Sequence, residues 1–516
     1  MSASAAPAQT VPLSGLGLAV VSVALALGTF MQVLDTTIAN VSLTTIAGNL
    51  GVSSDSSTWI ITAFAVANGV TVPLTGWLMG RFGVVRTFVV SVTLFTIASF
   101  LCGIAWSLSS LIVFRIIQGG VSGPMIPGSQ ALLISIFPPE KRNTALGIWS
   151  MTTLTGPIMG PILGGYISDN YHWGWIFLIN IPFGIASALI SWRFMKSRET
   201  PTRKLPVDTI GLGLLAFWVG TLQSFLDLGK NADWFNSTHI IVLALLSAIG
   251  FVAWLIWELT DARPAVDLRL FANRNFALGT AALTLGFAVF FGNTLLQPLW
   301  LQTQLGYTAT WAGLVAAPSG LVSVLATPIV TRLSGKVEAR WLATFAFVAF
   351  AASFLMRSGY TAQADYWHFM LPFAVQGLAM STFLVAMLSI SLDGIPAEKV
   401  PSATGISNFA RITGSSFAAS IVTTMWDRRE ALHQSRLAEH SSIFDPVFQQ
   451  SLAVLGQHGL TTHQAVAAVT RQMVGQAYLL SSIDIFHASA LAMMAMIVLV
   501  WLARKPAAMS GPVAAD

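Results

Sequence analysis

The sequence has 516 residues, of which 54% are hydrophobic and only 9% are charged, and its formal net charge is +5. Because soluble domains carry about 25% charged residues, this composition excludes an ordinary soluble protein. The recurring apolar runs of about 20 residues indicate an all-α integral membrane protein and exclude a β-barrel, whose strands alternate over about ten residues. The single cysteine, Cys102, excludes an internal disulfide and a cluster of thiolate metal ligands.

About fourteen apolar runs follow one another along the chain, each long enough to cross a bilayer as a helix. We predict transmembrane helices at 15–46, 58–79, 87–106, 109–136, 144–167, 174–194, 208–228, 237–258, 276–300, 309–332, 339–358, 368–393, 402–426 and 482–503. If the N-terminus is cytoplasmic, 18 of the 26 lysines and arginines also fall on the cytoplasmic side. This asymmetry predicts that both termini are cytoplasmic. The net charge then reflects topology, and it indicates no nucleic-acid partner.

The first predicted helix contains the deepest carboxylate of the chain, Asp35, and the fourth contains a basic residue at comparable depth, Arg115. An ionisable residue inside a membrane is costly, so it is a functional hypothesis by default. We expect both side chains, with Gln118 one turn from Arg115, to face a central water-accessible cavity and to couple transport to protons. The alternatives are that Asp35 caps a break in its helix and that Arg115 only binds neighbouring carbonyls.

The stretch from Leu146 to Gly165 combines an apolar character with many helix-breaking residues. Small residues allow close helix contact in a membrane, and packing can satisfy the backbone groups that proline leaves free. This pattern predicts a helix that bends and packs tightly, as a hinge would. Its defining residues are Gly147, Gly156, Pro157, Gly160, Pro161, Gly164 and Gly165.

In the second half of the chain, Arg411 is the counterpart of the deep cation Arg115, and Asn408 lies on the same helical face. Arg411 is expected either to bind an anionic substrate or to relay the coupling charge; the alternatives are a pair with Asp393 or with carbonyls. A site for varied drugs needs apolar walls with few polar anchors. The predicted lining of that substrate cavity is Gln32, Asn40, Asn68, Trp149, Met151, Gln297, Gln376 and Asn408.

Residues 427–481 form the longest polar stretch, on the side opposite the basic connections. Their mixture of alanine, leucine, glutamine and charge predicts short amphipathic helices. The stretch is either a contact for a partner protein or a cap over the outer vestibule.

Six segments carry a resemblance to a known family. They are VLDTTIANVSL (33–43), GWLMGRFGVVR (76–86), RIIQGGVSG (115–123), GPIMGPILGG (156–165), WGWIFLINIPFG (173–184) and ELTDARPAVDLRLFANRNF (258–276). Over about residues 15–503 the chain resembles the drug:proton antiporters of the major facilitator superfamily, in their fourteen-helix (DHA2) branch.

The resemblance implies a fold of two six-helix bundles, at 15–195 and 276–503, separated by two extra linker helices at 208–258, with cytoplasmic tails at 1–14 and 504–516. We expect the linker helices to be peripheral and structural. The resemblance also implies a cytoplasmic gate motif made by Gly76, Arg81, Gly83 and Arg86. The family usually has an acidic residue where this chain has Gly80, so the gate is expected to depend on the two arginines and on carboxylates of another loop.

The implied function is proton-driven multidrug efflux from the bacterial inner membrane, with amphipathic small-molecule drugs as substrates, H+ as the coupling ion and no other cofactor. The implied partners are an EmrA-like periplasmic adaptor and a TolC-type outer-membrane channel. The nucleotide-binding pattern G-x-x-x-x-G-K-[ST] is absent from the sequence, so ATP is not expected to drive transport. The alternative is a dedicated exporter of one metabolite, siderophore or tetracycline–metal complex. A secondary transporter, rather than an enzyme, sensor or channel, is the favoured class.

Overall fold

The computed structural model describes residues 14–52, 57, 59–138, 141–202, 208–230, 232–261, 264, 266–439 and 445–505. All regular elements in these ranges are helical, which confirms the predicted all-α class. The α-helices are α1 (Gly15–Leu50), α2 (Trp59–Thr71), α3 (Thr75–Phe82), α4 (Val84–Gly103), α5 (Leu108–Ser122), α6 (Met125–Ile136), α7 (Arg142–Asn170), α8 (Trp175–Leu178), α9 (Asn180–Met195), α10 (Thr209–Gly229), α11 (Thr238–Thr260), α12 (Arg274–Gln304), α13 (Ala309–Ser334), α14 (Ala339–Arg357), α15 (Tyr366–Ser391), α16 (Val400–Glu439), α17 (Pro446–Gln457) and α18 (Thr462–Leu502).

These helices give about fourteen crossings, as predicted. Within the described ranges, eleven helical segments are long and apolar enough to span a membrane, and α2 with α3, bent by 58° at their junction, forms another. Here α5 continues into α6 and α8 into α9. The two remaining crossings are α7 and α16, whose apolar content is diluted by glycine, serine, threonine and asparagine.

The helices pack as two bundles. In the first bundle, α1 lies along α7, α2 along α5, and α4 along α9. In the second, α13 and α14 lie along α15, and α12 lies along α16. The two bundles meet mainly where α7 packs on α13 and where α16 packs on α3 and α6.

The bundles are closed against each other at one end, which we call the basic side because Arg81, Arg86 and Arg332 lie there. At this end the Asn143 side chain donates to the Ser334 carbonyl at 3.4 Å and accepts from the Ser389 hydroxyl at 3.1 Å. These bonds join α7 to the second bundle. The structure is therefore a conformation with its basic side shut.

The linker helices α10 and α11 pack on each other, but α10 also contacts both bundles. The Thr62 hydroxyl of α2 donates to the Asp227 carboxylate of α10, and the Ser420 hydroxyl of α16 donates to the Leu226 carbonyl at 2.9 Å. Helix α10 is therefore hydrogen-bonded to both bundles, although most residues of α10 and α11 are not buried.

The polar stretch at 427–481 is mainly the continuation of two membrane helices. Helix α16 runs on to Glu439 and α18 begins at Thr462, with the short α17 between them. The two extensions are joined by Arg429, which donates to the Asp484 carboxylate at 2.8 Å. The prediction of short helices is correct only for α17, whose first turn is capped by Asp445. We call α17 and the two extensions the projecting hairpin.

Candidate functional site

The predicted acid and base meet inside the first bundle. The Arg115 guanidinium of α5 donates from Nη1 to Asp35 Oδ2 of α1 at 2.5 Å. The other carboxylate oxygen accepts from Gln118 Nε2 and from Asn180 Nδ2, each at 3.0 Å. Gln118 also donates to Ser99 Oγ of α4 at 2.8 Å. Four helices, α1, α4, α5 and α9, thus supply one hydrogen-bonded network around a single carboxylate.

Arg115 makes further contacts that hold it in place. Its Nε donates to the Ile60 carbonyl of α2 at 3.1 Å, and its Nη1 also donates to Gln118 Oε1 at 2.6 Å. The guanidinium lies 4.2 Å from the centroid of the Phe64 ring, an arrangement that attracts a cation to the aromatic face. Arg115 therefore binds a carbonyl, as the alternative interpretation had it, and also forms the ion pair.

The Asp35–Arg115 pair is sealed from solvent in this conformation: Asp35 is 0% exposed and Arg115 is 1% exposed. The expectation that both face a water-accessible central cavity is wrong here. Val33 faces α7, and a residue two positions later on a helix points about 200° away. Asp35 therefore points away from α7 and towards α5 and α9, whose side chains bind its carboxylate. The alternative that Asp35 caps a helix break is also wrong, because α1 is continuous from Gly15 to Leu50.

Three glycines of the predicted hinge segment form a close contact between α7 and α1. A Cβ atom on Gly156 would lie 2.5 Å from Val33, one on Gly164 would lie 3.0 Å from Ile38, and one on Gly160 would overlap Thr37. Spacing of small residues at four-residue intervals is what lets membrane helices approach at backbone distance.

The remaining hinge residues lie elsewhere on α7. Gly147 faces α13, where an added Cβ would lie 2.5 Å from Thr331, and Gly165 is buried. The side chains of Pro157 and Pro161 lie outside the described part of the chain. Helix α7 is continuous over its 29 residues, so tight packing rather than a break is what this conformation displays.

The gate motif brings α3 against the start of α16. A Cβ atom on Gly76 would lie 2.7 Å from the Ser402 Cβ, so only glycine permits this approach. Arg81 lies 5.6 Å from the centroid of the Trp77 ring. Gly83 has a positive φ of 93°, a conformation that favours glycine.

A carboxylate from another loop, Glu199, binds next to the gate motif. Glu199, which follows α9, accepts from the backbone N–H groups of Val85 and Arg86 at 3.0 and 2.8 Å. An acidic group at the first turn of a helix is stabilised by the helix dipole. This carboxylate belongs to the first bundle, so it caps α4 and does not link the two bundles.

We expect Gly76→Val to weaken closure of the basic side, because the added methyl groups collide with Ser402. Overpacking of this kind costs about 1–3 kcal/mol, enough to shift a two-state population by about tenfold. Thr404, at the closed interface and 1% exposed, is a suitable reporter. Maleimide labelling of Thr404→Cys, in a Cys102→Ser background, should accelerate about tenfold. Gly213→Val, where nothing lies within 4 Å, is the control. Equal labelling rates would remove Gly76 from the closure.

Arg411 of α16 donates from Nη2 to Asn408 Oδ1 at 2.9 Å. Asn408 in turn donates to Gln130 Oε1 of the first bundle at 3.4 Å, so this chain crosses the interface between bundles. Arg411 does not pair with Asp393, whose carboxylate instead accepts from Asn275 at 2.9 Å. Among the described residues no carboxylate lies within ion-pair distance of Arg411.

The structure distributes the predicted cavity residues over different surroundings. Asn68 donates to Ser122 inside the first bundle, and Gln376 accepts from Arg357 inside the second. The side chain of Asn40 lies outside the described part of the chain. Three of the others have a buried polar atom without a hydrogen-bond partner in the described structure: Gln32, Trp149 and Gln297. Met151 is half-buried.

An apolar groove of about 940 Å³ lies between the linker helix α11 and helices α12, α16 and α18. Its walls include Phe251, Phe409, Val422 and Met496. None of the predicted cavity residues lines it. The groove is therefore separate from the ion-pair network and from the predicted substrate cavity.

Two residues of the network, Ser99 and Asn180, were not predicted. The signal for Asn180 was present, since it is an amide within the apolar segment WGWIFLINIPFG. Arg357, next to the end of the predicted helix 339–358, was not predicted as a site residue, but the structure buries it completely at the end of α14.

A helical membrane protein with two bundles, a buried ion pair and a shut interface belongs to the class of membrane transporters. The sequence matches the Major Facilitator Superfamily over residues 25–419, and the chain belongs to this family. The predicted family and the predicted class, transporter rather than enzyme, are confirmed.

Several curated proteins are similar over almost their whole length. The chain is 46% identical over 496 residues to the multidrug export protein EmrB of Haemophilus influenzae, covering 96% of this chain and 97% of that protein. It is 45% identical to the fatty acid resistance protein FarB of Neisseria gonorrhoeae, covering 96% and 98%. A solved bacterial homologue of the human lysosomal transporter Spinster, inward-facing and unoccupied, has a TM-score of 0.53 at 16% identity, covering 96% of this chain and 100% of that one. That likeness concerns the fold alone.

Proposed function

We propose that this protein exports amphipathic toxic compounds in exchange for protons, by alternating access of its two bundles. The similarity to EmrB, named as a multidrug export protein, supports the export of drugs. The observation that carries proton exchange is the Asp35 carboxylate, held by Arg115, Gln118 and Asn180 inside the membrane. An ionisable residue inside a membrane is a functional hypothesis by default, and a proton relay is one of the functions that such residues serve.

In the proposed cycle the ionised Asp35 stays paired with Arg115 while the basic side, taken as cytoplasmic, is shut. Separation of α1 from its neighbours hydrates the pair, and protonation of the carboxyl then frees Arg115 for the carbonyl and amide groups that already contact it. Opening towards the cytoplasm releases the proton and restores the ion pair. Exchange of one proton for an uncharged compound moves one charge, which across 100 mV supplies about 2.3 kcal/mol, enough to concentrate that compound more than tenfold.

Substrate contacts are proposed along the surfaces where the bundles meet. Gln32 of α1 and Trp149 of α7 have buried polar atoms without hydrogen-bond partners in the described structure, as an orienting anchor requires. Arg411 and Asn408 cross the same interface and extend the proposed site. An exporter dedicated to one metabolite, siderophore or tetracycline–metal complex would use the same mechanism, and a panel of compounds in a pump-deleted strain separates the two.

The test uses liposomes that contain only this protein and a pH-sensitive dye in the lumen. Addition of ethidium, an amphipathic cation, should move protons across the membrane in the direction opposite to the movement of ethidium. An imposed pH gradient should drive ethidium uptake. Protein-free liposomes are the control. Ethidium movement that leaves the lumen pH unchanged would contradict proton exchange.

We further propose that the protein lies in the bacterial inner membrane with both termini cytoplasmic, and that it joins an EmrA-like adaptor and a TolC-type channel. The projecting hairpin is the proposed adaptor contact. Valines on it, Val447 at 71% and Val454 at 45% exposed, offer apolar contact area beyond the membrane helices.

Replacing both valines by glutamate is expected to reduce co-purification of the adaptor at least about tenfold, since buried unpaired charge is strongly unfavourable at an interface. Transport by the protein alone in liposomes should persist. Full retention of the adaptor would favour the alternative, a cap over the outer vestibule. Val466→Glu adds the same charge elsewhere on the hairpin. Co-purification of the adaptor with this variant tests whether the loss is specific to Val447 and Val454.

A further inference from the structure

The second bundle contains a buried cation without an acid. Arg357, at the end of α14, is 0% exposed. Its Nη2 donates to Gln376 Oε1, and its guanidinium lies 4.2 Å from the centroid of the Phe373 ring. Nε and Nη1 have no hydrogen-bond partner, and no carboxylate of the described residues lies within ion-pair distance. A charge buried in this state is strongly unfavourable unless something neutralises it.

Tyr360 lies next to Arg357, because its backbone N–H donates to the Arg357 carbonyl at 3.1 Å, and it connects Arg357 to further unpartnered polar atoms. The indole of Trp300 stacks on Tyr360 with ring centroids 6.1 Å apart, and both the Trp300 N–H and the Tyr360 hydroxyl lack partners in the described structure. Gln297, one turn before Trp300 on α12, has an unpartnered amide. Burial raises the pKa of Tyr360 to about 12, so its hydroxyl remains a proton donor. Donors predominate in this group, which is the chemistry that recognises an anion.

The first bundle has the corresponding arrangement with its acid in place. Gln118 and Gln376 each lie ten residues after the first residue of their helices, α5 and α15, which are the fourth crossings of their bundles. Each amide oxygen accepts from an arginine. In the first bundle the opening helix α1 supplies Asp35, whereas the opening helix α12 of the second bundle supplies Gln297. Among the described residues, no carboxylate takes the corresponding place beside Arg357.

We propose that Arg357 is the centre of a buried site for a monovalent anion. Chloride, or the carboxylate of a substrate, forms an ion pair with Arg357 there, as Asp35 does with Arg115. The rings of Trp300, Tyr360 and Phe369 pack against one another, and the Arg357 guanidinium lies over the rings of Phe354 and Phe373. The site concerns anion binding alone, so it stands or falls separately from proton exchange.

The experiment measures the melting temperature of the purified full-length protein in detergent, in sodium sulfate at constant ionic strength. Replacement of sulfate by chloride, or by benzoate, should raise the melting temperature by a few degrees and saturate. Saturation by chloride alone indicates an inorganic ion, whereas saturation by benzoate at lower concentration, with chloride competing, indicates a substrate carboxylate. Equal melting temperatures in all three salts would overturn the proposal.

Three variants locate the effect. Gln297→Glu supplies an internal carboxylate, and we expect it to melt higher in sulfate and to lose the response to chloride and benzoate. Arg357→Met should also lose the response, while Arg471→Met, which removes an exposed charge, should keep it. A full response in Arg357→Met, or in Gln297→Glu if the methionine variant does not fold, would contradict the site.

Discussion

Asp35→Asn is expected to abolish proton exchange and to destabilise the protein. Asparagine has nearly the same shape and can still accept from Gln118 or Asn180, but it cannot carry the proton. It also leaves Arg115, which is 1% exposed, as an unpaired buried cation. Removing one partner of a buried ion pair costs about 3–5 kcal/mol. We therefore expect substrate-driven proton movement in liposomes to fall to the protein-free level and the melting temperature to drop.

The double variant Asp35→Asn, Arg115→Gln separates the two effects. Replacing both members of a buried ion pair by neutral groups is often close to neutral for stability. The double variant should regain most of the lost stability and still move no protons. Asp393→Asn, which changes a half-buried carboxylate on the basic side, is the matched control and should keep exchange. Recovery of proton exchange in the double variant would show that the network is only structural.

Gly160→Val is expected to produce the second large loss of transport and stability, through packing alone. The added side chain overlaps Thr37 on α1, in the segment where α7 and α1 approach at backbone distance. Overpacking at such a contact costs about 1–3 kcal/mol and pushes α1 away, together with the carboxylate that it carries. We expect lower stability and at least about tenfold slower ethidium export, measured in the same liposomes.

A matched substitution isolates the contact from the loss of a glycine. Gly120→Val places the same side chain in helix α5, where nothing lies within 4 Å of the added Cβ, and it should leave transport nearly unchanged. Thr37→Ala should partly restore transport in Gly160→Val, because it removes the hydroxyl that the valine side chain overlaps. Equal losses in the two valine variants would mean that the α1–α7 contact has no special role.

The sequence was sufficient for the class, for the approximate crossings and for the comparable depth of Asp35 and Arg115. Apolar length determines where a helix crosses, and the position of a charge along it determines its depth. Neither determines which way the side chain points around the helix axis. That rotation follows from the contact between the α7 glycines and the Val33 face of α1, a tertiary contact that turns Asp35 away from α7 and towards α5 and α9.

Residues near helix ends were the hardest to predict. Arg357 and Asp227 each lie in the last turns of an apolar run, where a shift of a few residues separates a solvated loop from a packed interface. The helices of the projecting hairpin were predicted to be short for a related reason. Polar composition indicates that a segment leaves the membrane, but helices α16 and α18 continue as helices after they do so.

The most direct measurement of the central claim counts protons released when substrate binds to the purified protein in weakly buffered detergent solution. If Asp35 exchanges its proton for substrate, ethidium should release protons from the wild type at a pH where the carboxyl is protonated, and should release none from Asp35→Asn. Equal release from both proteins would assign the exchange to another group and contradict the account.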